Sequence, residues 1–174
     1  MIYYKNEEII IRSMKEEDAL NLYKGFQEQG WNKSIEQFSY YFNEQKNHKR
    51  YIVIAEFCGN IAGYTTLLPK ALEGPFVERE LPEICDFNVL IKYQKKGIGN
   101  KILDVAESLA GKINNTVSLG VGLHSGYGAA QRIYVKRGYI PDGSGVWYMN
   151  KQLEPYTNCN NNDDLVLYLS KSLI

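Results

Sequence analysis

Residues 89–111 read Val89-Leu-Ile-Lys-Tyr-Gln-Lys-Lys-Gly97-Ile-Gly99-Asn-Lys-Ile-Leu-Asp-Val-Ala-Glu-Ser-Leu-Ala-Gly111. An apolar, strand-like run over residues 84–91 leads into a short basic loop with two glycines, and a helical pattern starts at once. Ile98, Ile102, Val105, Ala106 and Leu109 recur at spacings of three and four, which puts them on one helix face. Gly111 follows the last of them, where a left-handed C-terminal cap is expected. A strand, a glycine loop and a helix in this order suit an anion. The first helical turn leaves N–H groups outside the hydrogen-bond ladder at the positive end of the dipole. Gly97 and Gly99 carry no side chain to keep a phosphate off that backbone, and Lys95 and Lys96 add charge. The pattern is neither Gly-x-x-x-x-Gly-Lys-Ser/Thr nor a three-glycine dinucleotide fingerprint. Taken alone, it also fits a solvated turn that caps a helix.

Working outward, residues 83–90 form the strand that feeds the loop. Upstream, residues 51–57 and 61–68 are two strands joined at Gly59-Asn60, the clearest hairpin in the chain. Downstream, Val117, Leu119, Val121 and Leu123 alternate with Ser118, Gly120 and Gly122 as a further strand. A strand, a helix and another strand imply a right-handed crossover and a parallel pair. A helix over residues 128–137 follows, with Ala130, Ile133 and Tyr134 on one face and Gly138 as its stop. Residues 139–141 are extended, residues 146–149 are a short strand, residues 158–164 are a polar loop, and residues 165–169 are the closing strand. Before the hairpin, residues 9–11 are a strand. Ser13, with Glu16 in the capping-box position, is expected to cap a first helix that buries Ala19, Leu20, Tyr23 and Phe26 and ends at Gly30. Ser34 is expected to cap a second helix, with Ile35, Phe38, Tyr41 and Phe42 on its inner face. The fold class is mixed α/β, antiparallel early and parallel at the central crossover, without internal repeats.

The 174 residues suggest one domain over 1–174. Lys plus Arg equals Asp plus Glu at 20 each, so bulk charge makes no case for nucleic acid or an anionic membrane. No apolar run has the length of a membrane span, and the first eleven residues are strand-like and acidic rather than a signal peptide. Cys58, Cys85 and Cys159 are odd in number and have no metal-ligand spacing, which fits a reducing cytoplasm and no metal.

With these elements in place, the chain resembles the GNAT superfamily of acetyl-CoA-dependent N-acetyltransferases from Ile9 to Leu173. Gln94-Lys-Lys-Gly-Ile-Gly99 is similar to the family's Gln/Arg-x-x-Gly-x-Gly/Ala loop. Ala130-Gln-Arg-Ile-Tyr-Val-Lys-Arg-Gly-Tyr139 is similar to its Ala-x-x-x-Tyr-x-x-x-Gly-Phe/Tyr segment. The strand order is the family's too. The resemblance implies a mostly antiparallel sheet with a splayed central parallel pair and flanking helices. It also implies acetyl-CoA as co-substrate and transfer of the acetyl group to a primary amine by direct attack.

The same resemblance distributes the roles. The backbones of Lys95, Lys96, Gly97, Ile98, Gly99 and Asn100, with Gln94 at the entrance, hold the pyrophosphate. The strand end at Phe87, Val89 and Ile91 takes pantetheine as a pseudo-strand. Tyr134 stands at the position of the general acid to the CoA sulfur. For the base, Glu83 lies six residues before Val89 and eleven before Gln94, a spacing found in the histone acetyltransferase branch. Asp86 is the second candidate, and ordered water is the third. By alternation Glu83, Cys85, Phe87 and Val89 share one strand face and Asp86 and Asn88 the other, unless a bulge upsets the parity. Tyr127 occupies a position where the family often has an asparagine that touches pantetheine, a departure that bears on the side-chain contact and not on the fold.

The acceptor is expected from the two early helices and the loop over residues 69–82, where Glu73, Glu78 and Glu80 favour a cationic amine. Trp31, Phe38, Tyr40 and Tyr41 are wall or core residues. A small-molecule amine is favoured over a protein, and a homodimer remains open. Two other readings stand beside this one. One is a catalytically silent acyl-CoA-binding or regulatory module on the same fold. The other is a dinucleotide-binding redox protein, which lacks its acidic ribose-binding residue and third glycine here.

Overall fold

The chain begins as a hairpin. In the computed structural model, which describes residues 1–174, β1 (Ile2–Lys5) and β2 (Ile9–Ser13) are joined at Asn6. The Asn6 side-chain oxygen accepts from the amides of Glu8 and Ile9 at 3.0 and 2.6 Å, a local Asx turn. Two helices follow, α1 (Asp18–Glu28) and α2 (Ile35–Lys46), and then the hairpin of β3 (Tyr51–Phe57) and β4 (Asn60–Leu68). Next come β5 (Glu83–Val89), α3 (Ile98–Ala110), β6 (Thr116–Gly122), α4 (Gly128–Lys136), β7 (Ile140–Tyr148), β8 (Lys151–Gln152) and β9 (Leu165–Ser172). The strands form one sheet in the order β1-β2-β3-β4-β5-β6-β9-β7-β8. The pairs β1–β2, β2–β3, β3–β4, β6–β9, β7–β8 and β7–β9 are antiparallel; β5 and β6 are parallel, through Glu83↔Ser118 and Ile84↔Leu119. This is the mixed α/β sheet expected from the crossover. No helix is long and apolar enough to cross a membrane.

By its internal contacts the chain divides into two compact units. One is Met1–Pro69 with Cys85–Leu109; the other is Lys70–Ile84 with Ala110–Ile174. The first unit has its core between α1, α2 and the strands β3 and β4. Leu22, Phe26, Phe38, Ile52, Ile54 and Tyr64 are fully or almost fully buried there. Phe26 stacks on Phe38 at 5.9 Å, and both rings meet the edge of Tyr64 at 6.0 and 5.5 Å. Such offset and edge-on pairs add to area burial. The expected Ser34 cap is present, with the Ser34 hydroxyl accepting from the Gln37 amide at 3.1 Å. On α3 the whole expected face, Ile98, Ile102, Val105, Ala106 and Leu109, is buried.

The start of α1 is not where the capping box puts it. Ser13 is the last residue of β2, and its hydroxyl takes up the N-terminal ammonium at 2.7 Å. The helix starts at Asp18, and Glu17 at its N-cap makes no side-chain cap. A buried ion pair decides this. Arg12 donates to both Asp18 carboxylate oxygens, at 2.6 and 2.8 Å, and to Glu56 at 2.6 Å. Asp18 also accepts from the Lys15 amide at 2.7 Å, which holds residues 15–17 outside the helix. Gln45 of α2 satisfies both backbone groups of Met14. The buried face of α1 is Asp18, Ala19, Leu22 and Phe26, so Leu22 is inside and Leu20, expected inside, is 43% exposed.

Two further expectations are corrected. The helix does not reverse at Gly111. The Ile113 and Asn114 amides both donate to the Ala110 carbonyl, so the chain keeps turning in the same sense. Residues 140–148 are one strand, not an extended segment and a separate short one, because the irregularity between Pro141 and Val146 is taken up within the β7–β9 ladder.

In the second unit, Ala71, Phe76, Leu81 and Tyr168 form a small core with Trp147 and Val166 against it. The loop over residues 69–82 therefore buries its own apolar residues. The Ala71 amide donates to the Leu81 carbonyl at 2.7 Å and closes its ends.

Candidate functional site

The strand β5 carries an irregularity that decides what its side chains face. Asp86 has φ +48°, in the left-handed region, in mid-strand. A non-glycine residue held there costs about 1–3 kcal/mol and persists only where its surroundings impose it. On β4, Gly63 makes the close approach feasible, since a Cβ there would lie 2.5 Å from the Asn88 carbonyl oxygen. Simple alternation along β5 therefore fails at Asp86.

The Asp86 carboxylate is surrounded by donors, all within the first unit. Lys33 Nζ lies 2.6 Å from Oδ1, and Asn88 Nδ2 2.8 Å from the same oxygen. Tyr64 Oη donates to Oδ2 in a short hydrogen bond, Tyr41 Oη donates to it at 3.1 Å, and Gln37 Nε2 approaches at 3.5 Å. Burial, then the Asp86 charge, pushes the Tyr64 phenol well above its ordinary pKa, and the same two causes raise Tyr41. Both phenols thus stay protonated as donors. The aromatic residues singled out in the sequence separate accordingly. Phe38 is core, Tyr41 is an Asp86 ligand, Trp31 stacks on Phe26 at 5.9 Å near the surface, and exposed Tyr40 bonds to Glu44.

The glycine loop follows in the same unit. β5 stops at Val89, and Ile91 opens a 3-10 turn, Ile91–Tyr93, so Ile91 is not part of the strand end. The Ile91 amide donates to Gln29 Oε1 at 2.9 Å, and Gln94 Nε2 donates to the Val89 carbonyl at 3.1 Å. The side chain of Gln94 thus ties the loop back onto β5. Lys95 and Gly97 have φ +61° and +79°, so the backbone changes hand twice before α3. At Gly97 a Cβ would meet nothing within 4 Å, which leaves that backbone open to solvent. The helix ladder begins with the Lys101 amide donating to the Gly97 carbonyl at 3.3 Å, so the amides of Ile98 and Gly99 precede it. Lys95 and Lys96 are exposed. Phe87 and Val89 pack under Gly99, at 3.0 and 3.5 Å from an added Cβ. A di- or triphosphate chain fits this cradle chemically: open backbone amides, a helix N-terminus and two lysines.

The second unit holds Glu83, Tyr127 and Tyr134. Glu83 is buried at the head of β5, in register with Ser118. Tyr134 is buried on α4 and meets Tyr139 edge-on at 5.6 Å, which fixes its ring. Tyr127 is already engaged. Its hydroxyl donates to Asp163 at 2.9 Å, and its ring lies against His124 and fills the space over Gly122. Glycines 120 and 122 thus serve packing against Val166, Tyr168 and Tyr127. His124 Nε2 meets Asp163 at 2.9 Å. No group of His, Cys, Asp and Glu side chains is arranged to hold a metal. Sequence reasoning missed Lys33 and Tyr64. Their only signal is their side-chain type, since their partner Asp86 lies 53 and 22 residues away.

A sequence model of the Acetyltransferase (GNAT) family matches residues 15–139, which contain β5, the glycine loop and Tyr134. The chain belongs to the GNAT acetyltransferase family. That family uses acetyl-CoA, whose pyrophosphate is the kind of anion the loop suits. Solved structures of other GNAT proteins share the fold. A putative acetyltransferase from Salmonella typhimurium, solved with its cofactor acetyl-CoA, is 15% identical with a TM-score of 0.69, over 97% of this chain and 95% of that one. A Salmonella typhimurium acetyltransferase that modifies the N-terminal serine of ribosomal protein L7/L12 is 10% identical with a TM-score of 0.72, over 99% of both chains. Mutant forms of the spermidine/spermine N-acetyltransferase of Vibrio cholerae are 14% identical with a TM-score of 0.64, over 97% of this chain and 95% of theirs. No curated protein sequence matches the chain.

Proposed function

We propose that this GNAT protein is an N-acetyltransferase that moves an acetyl group from acetyl-CoA to a primary amine by direct attack. The observation that carries the reading is the glycine loop at the head of α3, with Gly97 left-handed and open. Acetyl-CoA, when bound, supplies the activated acetyl thioester. Lys95, Lys96 and the backbone from Gly97 to Asn100 hold its pyrophosphate, with Gln94 bracing the loop. Phe87 and Val89 support the loop from β5. Residues 1–174 act as one acetyltransferase domain, a reading supported by GNAT chains that match 97–99% of it. Cys58, Cys85 and Cys159 form no disulfide, in keeping with a cytoplasmic setting.

An alkylamine, with pKa ~10, must lose a proton before it attacks. Asp86 already accepts from Lys33, Tyr41, Tyr64 and Asn88, so its lone pairs are better placed to hold a cation than to take a proton. Glu83, or water, is the base. Tyr134 Oη supplies the proton to the departing thiolate. Replacement Tyr134→Phe is expected to lower turnover by roughly 10²-fold or more while acetyl-CoA affinity stays within a factor of two or so. A fully active variant removes the acid role.

The acceptor is a small amine in preference to a protein, because Asp86 is ringed by the side chains of Lys33, Tyr41, Tyr64 and Asn88. Neighbours in structure acetylate both kinds. Thiol release from acetyl-CoA across a panel of polyamines, aminoglycosides and lysine peptides tests the reading. Tight CoA binding with no turnover on any amine replaces it with a silent acyl-CoA-binding module.

A further inference from the structure

Lys33 sits in its place as a ligand would. Its ammonium meets the Asp86 carboxylate at 2.6 Å and lies over the ring faces of Phe26 and Tyr64, at 5.6 and 5.7 Å from their centroids. An anionic oxygen with two aromatic faces within ~6 Å is a complete recognition set for an alkylammonium ion. The walls are rigid, since Phe26 and Tyr64 are fully buried and locked edge to face. The Asp86 oxygens are oriented by Tyr41, Tyr64 and Asn88 and do not depend on Lys33 for their position. Lys33 comes from the non-helical connection between α1 and α2, next to Trp31 on the surface, and its long stem threads inward. The box belongs to the scaffold and its occupant to a loop.

We infer that Asp86, Phe26 and Tyr64 form a binding box for an unbranched primary alkylammonium group, and that Lys33 is an internal occupant which the acceptor's cationic end displaces. This rests on the amine-acetylating reading for its biological sense, but the binding it describes needs no acetyl-CoA. A tethered competitor lowers apparent affinity by the fraction of time the box is closed. Removing the Lys33 charge while keeping the stem's bulk therefore raises affinity for a free alkylammonium by about tenfold. The ligand's chemistry is shared by two sources, a free diamine and a lysine side chain, and both are included as probes.

The experiment is titration of the full chain, without acetyl-CoA, with n-butylammonium, 1,4-diaminobutane and Nα-acetyl-lysine amide, followed by tryptophan fluorescence and calorimetry. The proposal expects Lys33→Met to bind n-butylammonium about tenfold more tightly than the wild type. It expects the gain to vanish when Asp86→Asn is added and no gain for uncharged n-butanol. The diamine and lysine arms say which source fits better. Equal affinity in wild type and Lys33→Met, or an equal gain for n-butanol, overturns the proposal. Lys33→Gln repeats the comparison if Lys33→Met melts early, and the same outcomes decide it. A gain in binding with no amine acetylated anywhere in the panel would keep the box and remove the transferase reading. Turnover on the panel without the gain would do the reverse.

Discussion

Replacement Gly97→Glu is expected to abolish acetyl-CoA binding in the measurable range, a loss of at least about a hundredfold, or ~2.7 kcal/mol. Two effects add. Gly97 sits at φ +79°, where a side chain costs about 1–2 kcal/mol. A carboxylate there also meets the pyrophosphate at the helix end that attracts it. The two are separable, because a Cβ at Gly97 touches nothing within 4 Å. Gly97→Ala carries the backbone strain without the charge and should lose only a few-fold. Calorimetry with CoA, beside circular dichroism of both variants, checks this. Unchanged CoA affinity in Gly97→Glu takes away the phosphate assignment of the loop.

Arg12→Met is expected to destabilise the protein by about 3 kcal/mol or more. Arg12 is the shared cation of Asp18 and Glu56, and Asp18 is 1% exposed. Burial alone would lower the Arg12 pKa, but its hydrogen bonds and charge contacts with Asp18 and Glu56 outweigh this and raise it. Without the guanidinium, Asp18 is left as a buried charge, held only by the Lys15 amide. For a chain of this size the melting midpoint should fall by roughly 10 °C. Adding Asp18→Leu should return much of the loss, because a buried ion pair is worth little more than the apolar groups that replace it. Thermal melts of the single and double variants decide between a stabilising pair and one retained for the geometry of the α1 start.

That pair also marks the limit of what the sequence discloses. Periodicity places α2, α3 and α4 and the β3–β4 hairpin, because each depends on neighbours three, four or two residues away. Ser34 caps its helix for the same local reason. Ser13 has an equally good local pattern and does not cap, because Arg12, Asp18 and Glu56 form a contact across two strands and a helix that no window of the sequence contains. Gly111 similarly has the right neighbours but not the conformation. At the site, the glycine loop is legible because its function belongs to backbone and spacing. The Asp86 box is not. It depends on a left-handed residue within a strand and on rings from α1 and β4, and β5 parity alone points Asp86 elsewhere. Lys33, Tyr41, Tyr64 and Asp86 meet only after the chain has folded.

The loop over residues 69–82 has one more consequence. It has neither helix nor strand, and a sequence rich in glutamate and proline suggests an easy target for a protease. Phe76, Ala71 and Leu81 are nonetheless buried with Tyr168, and the loop's ends are clasped between Ala71 and Leu81. Cleavage needs an extended, mobile segment of several residues, so this loop should survive while the exposed stretch over residues 154–163 is cut first. Chymotrypsin digestion of the native chain, read by mass spectrometry, should cut first after the exposed Tyr156 and leave 69–82 intact despite its Leu72, Phe76 and Leu81. A loop that keeps its own shape can also be exchanged whole between relatives, provided that Tyr168, the strand residue it packs on, is exchanged with it.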